Sequence, residues 1–171
     1  MPLAPDASAF RKKLAGLPVT KYQAGENILK AGSTTGKLLM LRSGSVEVVK
    51  DGEQIATIST PGAVFGELAV LLDQPHTADV RALEPSEFHM ADAPTVLAND
   101  ATVTLYVAAI LARRLDSANQ ALIEIRRQLH AGEPRRAIGK TVEKVQTLLG
   151  SGGDSSLIYS GYPYDPFAGN Y

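Results

Sequence analysis

Two periodicities divide the chain. Between residues 20 and 92 the short apolar segments NILKA, KLLMLRSG, SVEVVKDG, QIATIS, TADVRAL and SEFHMAD recur, punctuated by Gly25, Gly32, Gly36, Gly44, Gly52 and Gly62. Short apolar runs separated by turn residues predict many antiparallel strands, folded as a sandwich or roll. In VVKDGEQIA the Asp51-Gly52 pair suits a turn that needs positive φ, so a hairpin is expected there. Val46 and Val48 alternate with Glu47, the pattern of a half-buried strand.

Helical spacing flanks this region. In ASAFRKKLAG, residues 7–16, Phe10 and Leu14 lie one turn apart, and Gly16 with Pro18 ends the run. After Pro94 a long helix is expected to begin between 95 and 103 and to stop near Gly132-Glu133-Pro134. Leu111, Leu115, Ala118, Leu122, Ile125 and Leu129 step through it by four and three, and RRLDSANQ gives the polar flank. That seam fits two structures: a helix that dimerises with its own copy, or one that packs on its own β-roll. RRAIGKTVEKVQTLL predicts a shorter helix with Ile138, Val142, Val145 and Leu149 on one side. SGGDSSLIYSGYPYDPFAGNY follows, a Gly/Ser linker and a tail holding four of the six tyrosines. The tail reads as disordered, as a docking peptide for a protein partner, or as a strap on the roll. The expected organisation is an N-terminal helical segment (1–19), the roll (20–93), the long helix (94–132), a short helix (133–150) and the tail (151–171).

Composition narrows the function classes. With 171 residues, 44% hydrophobic and 20% charged, the chain can bury a core without staples. A formal net charge of -1 gives no overall basic footprint for nucleic acid. The absence of cysteine excludes disulfides, iron–sulfur clusters and thiolate zinc sites. MPLAPDASAFRKKLAGLP lacks the apolar core of a signal peptide, and no apolar run nears the roughly 18 residues of a membrane span. A cytoplasmic location is the expectation. Three scattered histidines, His76, His89 and His130, support no metal site, and no nucleophile–base pair stands out, so no enzyme is expected.

The stretch FGELAVLLDQPHTADV, residues 65–80, carries the candidate chemistry. A glycine before a short helix lets a phosphate approach backbone N–H groups, and the local dipole favours the anion. Leu68, Leu71 and Leu72 are expected to anchor that helix. Glu67 is an acceptor only, unsuited to a phosphate but suited to a sugar hydroxyl. Together they suggest a nucleotide, with Thr77 and His76 as further donors. The alternative is an ordinary strand-to-helix turn beside a histidine of no special role.

The motifs in this order resemble the cyclic nucleotide-binding domain of the Crp/Fnr regulators and protein kinase A regulatory subunits, over roughly residues 8–130. AGENILKAGSTTGKLLMLRSGSVEVV is similar to the opening strands, PGAVFGELAVLLDQPHTADVRAL to the phosphate-binding cassette, and LARRLDSANQ to the start of the long Crp helix. The resemblance implies an α+β fold: an antiparallel β-roll, jelly-roll-like, with a short N-terminal helix and a long C-terminal dimerisation helix. It implies that Gly66, Leu68 and Ala69 face the cyclic phosphate and that Glu67 accepts the ribose 2′-hydroxyl. Thr77 and Ala78 would lie beside the phosphate, Arg114 would pair with Glu67, and Asn119, with Ala118, would reach the purine.

His76 departs from the pattern, because the family carries an arginine there. Arginine offers a fixed charge and a two-pronged fork, whereas histidine is mostly neutral near pH 7. Losing one charge-assisted hydrogen bond costs about 1.5–3 kcal/mol, roughly 10- to 100-fold in affinity. The expectation is a cAMP or cGMP sensor without a cofactor, with a weakened phosphate site and no direct DNA or membrane binding, dimeric through residues 111–129. The competing readings are a dimeric interaction protein with a degenerate pocket and, behind it, a transcription regulator. A small cupin-like enzyme is a further class that the scattered histidines argue against.

Overall fold

A computed structural model describes residues 7–130 and Gly139. Helix α1 (Ala7–Leu14) leads into eight strands: β1 (Val19–Tyr22), β2 (Asn27–Leu29), β3 (Lys37–Ser43), β4 (Val46–Lys50), β5 (Glu53–Ile58), β6 (Val64–Phe65), β7 (Asp79–Ala82) and β8 (Ser86–Asp92). A short helix α2 (Glu67–Leu71) interrupts them after β6, and α3 (Ala93–Asn99) and α4 (Ala101–His130) follow. The strands form two four-stranded sheets, ordered β1-β8-β3-β6 and β2-β7-β4-β5, and every pairing is antiparallel. This is the expected α+β β-roll. The Asp51-Gly52 hairpin is present, with φ of 53° and 81°, and its handedness matches the strand twist.

The continuous apolar run of β3 has a structural cause. Leu39 and Leu41 point between the sheets with Val46, Ile58, Phe65, Val80 and Phe88. Leu38 and Met40 point the other way, into a second core with Phe10, Leu14, Val103, Tyr106, Val107 and Ile110. A strand buried on both faces reads as unbroken hydrophobicity rather than alternation. Each such large side chain contributes about 1.5–3 kcal/mol on burial. Phe10 stacks on Tyr106 and ties α1 to α4. Glu47, expected on a solvent face, is buried under Arg81, which it meets across the β4–β7 ladder.

Residues 93–130, the described part of the expected long helix, form two helices, not one. Asp92 caps α3 by accepting hydrogen bonds from Thr95 N–H (3.2 Å) and Thr95 Oγ1 (2.6 Å). Asp100 then opens a new helix by accepting from Thr102 N–H (3.0 Å) and Val103 N–H (3.3 Å), and the axis bends by 104°. Two capping acids eight residues apart specify two starts. Along α4 the buried stripe is Val103, Tyr106, Val107 and Ile110, upstream of the expected seam. On the seam itself Leu115, Leu122 and Leu129 are 64%, 66% and 63% exposed, so the β-roll does not cover them. Apart from Gly139, the short helix at 133–150 and the tail at 151–171 lie outside the described residues. No single helix among the described residues is long and apolar enough to cross a membrane.

Candidate functional site

Strand β6 delivers the chain to Gly66, which has φ of 88° and sits at the N-cap of α2. A Cβ at this position would stand 2.4 Å from the Lys37 carbonyl oxygen. Both the left-handed backbone and the close approach to β3 therefore require glycine. The first-turn amides of α2 have no carbonyl partner within the helix. The helix is not anchored by its leucines: Leu68, Leu71 and Leu72 are exposed, and Glu67 and Ala69 are buried instead.

Glu67 is 3% exposed. Its Oε1 accepts a hydrogen bond from Arg114 Nη1 at 2.5 Å, and Arg114 Nη2 donates to the Val64 carbonyl at 3.1 Å. Arg114 lies one helical turn beyond Ile110, so the stripe that packs α4 on the roll also aims this guanidinium at α2. Among the described residues its Nε is buried without a partner. The carboxylate is thus held through one oxygen by a charge-assisted bond.

His76 is buried, 6% exposed, and its main chain is stitched to the loop before β3. Its N–H donates to the Ser33 carbonyl and its carbonyl accepts from Gly32 N–H, each at 2.8 Å. Its Nε2 lies 2.9 Å from Thr35 Oγ1. Burial pushes the imidazole below its ordinary range, and the Glu67 carboxylate partly opposes that. The imidazole is therefore held toward its neutral form and already has one partner.

These elements enclose a cavity of about 310 Å³ between the roll, α2 and Arg114. Gly66, Glu67, Leu68, Ala69, His76, Thr77, Ala78 and Arg114 all line it. Asn119 does not: it is exposed on α4. Five residues past Arg114 on a helix is about 140° around the axis, so one side chain on the cavity turns the other away. Sequence reasoning missed three contributors. Thr35 carried no motif. Lys50 and Ile55 frame the mouth from β4 and β5, and their inward direction depends on the register of the hairpin. Among the described residues no cluster of three or more His, Asp or Glu could hold a metal.

Residues 19–98 match the family model described as the cyclic nucleotide-binding domain. Residues 19–98 are a cyclic nucleotide-binding domain. The cAMP-dependent protein kinase regulatory subunit of Yarrowia lipolytica is 38% identical over 80 residues, 47% of this chain and 21% of that protein. Glutaminase 1 of Bradyrhizobium diazoefficiens is 46% identical over 65 residues, 37% of this chain and 10% of that one. The matching segment spans about a fifth of the length of the kinase subunits, 21%, 18% and 21% for three of them. Among solved structures, PKAR CBD2 bound to Sp-2Cl-cAMPS is similar at 28% identity and a TM-score of 0.54, over 67% of this chain and 75% of that one. The Thermus thermophilus catabolite activator protein shares the fold, with a TM-score of 0.57 at 24% identity, over 84% and 82% of the two chains. In this cyclic nucleotide-binding domain the cavity lies where the β-roll, the short α2 and the long helix meet.

Proposed function

We propose that the cavity binds a cyclic purine nucleotide, cAMP or cGMP, and that the chain is a sensor whose output is regulatory rather than catalytic. The observation that carries this reading is the Glu67–Arg114 pair at the opening of α2. It holds an acceptor for a sugar hydroxyl within the same cavity as the first-turn amides that suit a phosphate. Relatives include kinase regulatory subunits and a glutaminase, each matched over a small fraction of its length. That distribution supports a module that reports to different effectors.

Phosphate binding is weakened, because His76 contributes one neutral ring where an arginine would give a charged fork. Ligand in the cavity would bear on Arg114 and through it on α4, the route by which occupancy could reach the exposed seam at Leu115, Leu122 and Leu129. A second copy packed along residues 111–129 is part of the proposal.

One observation favours the competing reading of a degenerate pocket in a dimeric interaction protein: His76 Nε2 already has Thr35 as its partner. Calorimetric titration of the full chain with cAMP and with cGMP separates the two. Binding in the micromolar to submillimolar range supports the sensor, and no heat at about 1 mM of either ligand, a free energy no better than about -4 kcal/mol, rejects it. Sedimentation of the same samples reports the oligomer.

A further inference from the structure

We infer that Lys50 supplies the fixed positive charge that the cassette lacks at His76, by directing its ammonium to the cyclic phosphate. The inference rests on the nucleotide reading above. Four charged or titratable side chains among the described residues line the cavity: Lys50, Glu67, His76 and Arg114. Glu67 and Arg114 neutralise each other, and His76 is held toward its neutral form by burial. Lys50 has no ion-pair partner among the described residues, so it is the one unneutralised cation at the cavity.

Its direction follows from the strand. Val46 and Val48 pack into the core between the sheets, and alternation carries Lys50 to that same face. Val48 pairs with Val80 and Val49 with Asp79. One step further, Lys50 stands level with Ala78, two residues past His76. The neighbouring carboxylates do not engage it. Glu53 is its cross-strand partner in the hairpin but forms no ion pair with it among the described residues, and Asp79 Oδ1 accepts from Ala31 N–H at 2.7 Å. A lysine can lay its stem along Val48 and Ile55 at the mouth while its head reaches inward. An ammonium is a point charge and needs no planar fork to bind a phosphate oxygen.

The test uses the full chain and cAMP, with calorimetry in a series from low to high salt. Lys50→Met keeps the stem and should weaken binding about ten-fold, flatten its salt dependence and leave the melting temperature unchanged. Lys50→Arg should restore most of the affinity and the salt dependence. Equal affinity of wild type and Lys50→Met overturns the assignment. So does a loss that Lys50→Arg does not restore, or one that leaves the salt dependence as in wild type, since either marks a packing role. If cAMP does not bind, the same series is run with cGMP, and failure of the wild type to bind either in any salt sinks the nucleotide reading first, and this one with it.

Discussion

The two ends of the cavity are built to different rules. At the end proposed for the sugar a buried carboxylate is locked by a guanidinium that also holds a main-chain carbonyl. At the end proposed for the phosphate a buried imidazole, held toward its neutral form, rests against a threonine hydroxyl. The first arrangement is charged, paired and tied to α4. The second is neutral and tied to the loop before β3. One cavity thus joins a charged, locked end to a neutral one. The backbone needed for both, above all the left-handed Gly66 pressed on Lys37, is held by the fold rather than by ligand chemistry.

The sharpest way to break this contrast is to remove the guanidinium. Arg114→Met should destabilise the fold by about 3 kcal/mol, because it leaves Glu67 buried without its cation. Urea unfolding measures it. The double variant Glu67→Gln with Arg114→Met should recover much of the loss, since the residual charge is gone. A loss below about 1 kcal/mol in the single variant would put this pair with exposed surface ion pairs and erase the difference between the two ends.

The second test converts the neutral end into a charged one. His76→Arg should tighten cAMP binding roughly 10- to 100-fold, provided the cradle accepts the fork. Its pH dependence identifies the cause. A bound phosphate favours the protonated imidazole, so the complex holds a proton that the free protein lacks. Binding to the wild type then strengthens as pH falls through the histidine range of the complex and levels off below that of the free protein. In the ligand-free chain the folded-state value is depressed, so His76 has the opposite effect: stability is fully present above the ordinary histidine range and is lost as pH falls through the folded-state value. Calorimetry at about pH 6 and about pH 8 should show a wild-type preference for acid and none in His76→Arg. A wild-type affinity that is the same at both would remove His76 from the phosphate contact.

The fold was largely legible because local rules agreed with the global answer. Asp51-Gly52 needed its hairpin, and the glycines at 25, 32, 36, 44, 52 and 62 all adopt positive φ. Gly66, Glu67 and Arg114 were legible through motif order, although they lie 47 residues apart at the ion pair. What escaped depended on packing direction. The leucines of α2 looked like anchors, yet they face solvent, and the buried positions of this five-residue helix are Glu67 and Ala69. The seam of α4 was visible as a stripe, but the stripe that packs on the roll starts at Val103 and carries Arg114, which turns Asn119 outward. Asp92 and Asp100 are both helix caps, and only the structure shows that both are used. Thr35 acts across 41 residues and has no local signature.

The smallest effect tests the neutral end directly. Thr35 Oγ1 accepts a weak bond from Lys37 N–H at 3.3 Å, which leaves its own proton free to point at His76 Nε2. With Nε2 taking that proton, the ring proton sits on Nδ1, and this is the tautomer expected. Thr35→Val should then cost about 1 kcal/mol of stability, the worth of one neutral hydrogen bond. The more telling readout is the imidazole itself. Nitrogen-15 spectra should place the wild-type proton on Nδ1, show a mixture of tautomers in Thr35→Val, and return to Nδ1 in Thr35→Ser. The same tautomer in all three would mean that the hydroxyl does not orient the ring. The phosphate end would then owe its neutrality to burial alone.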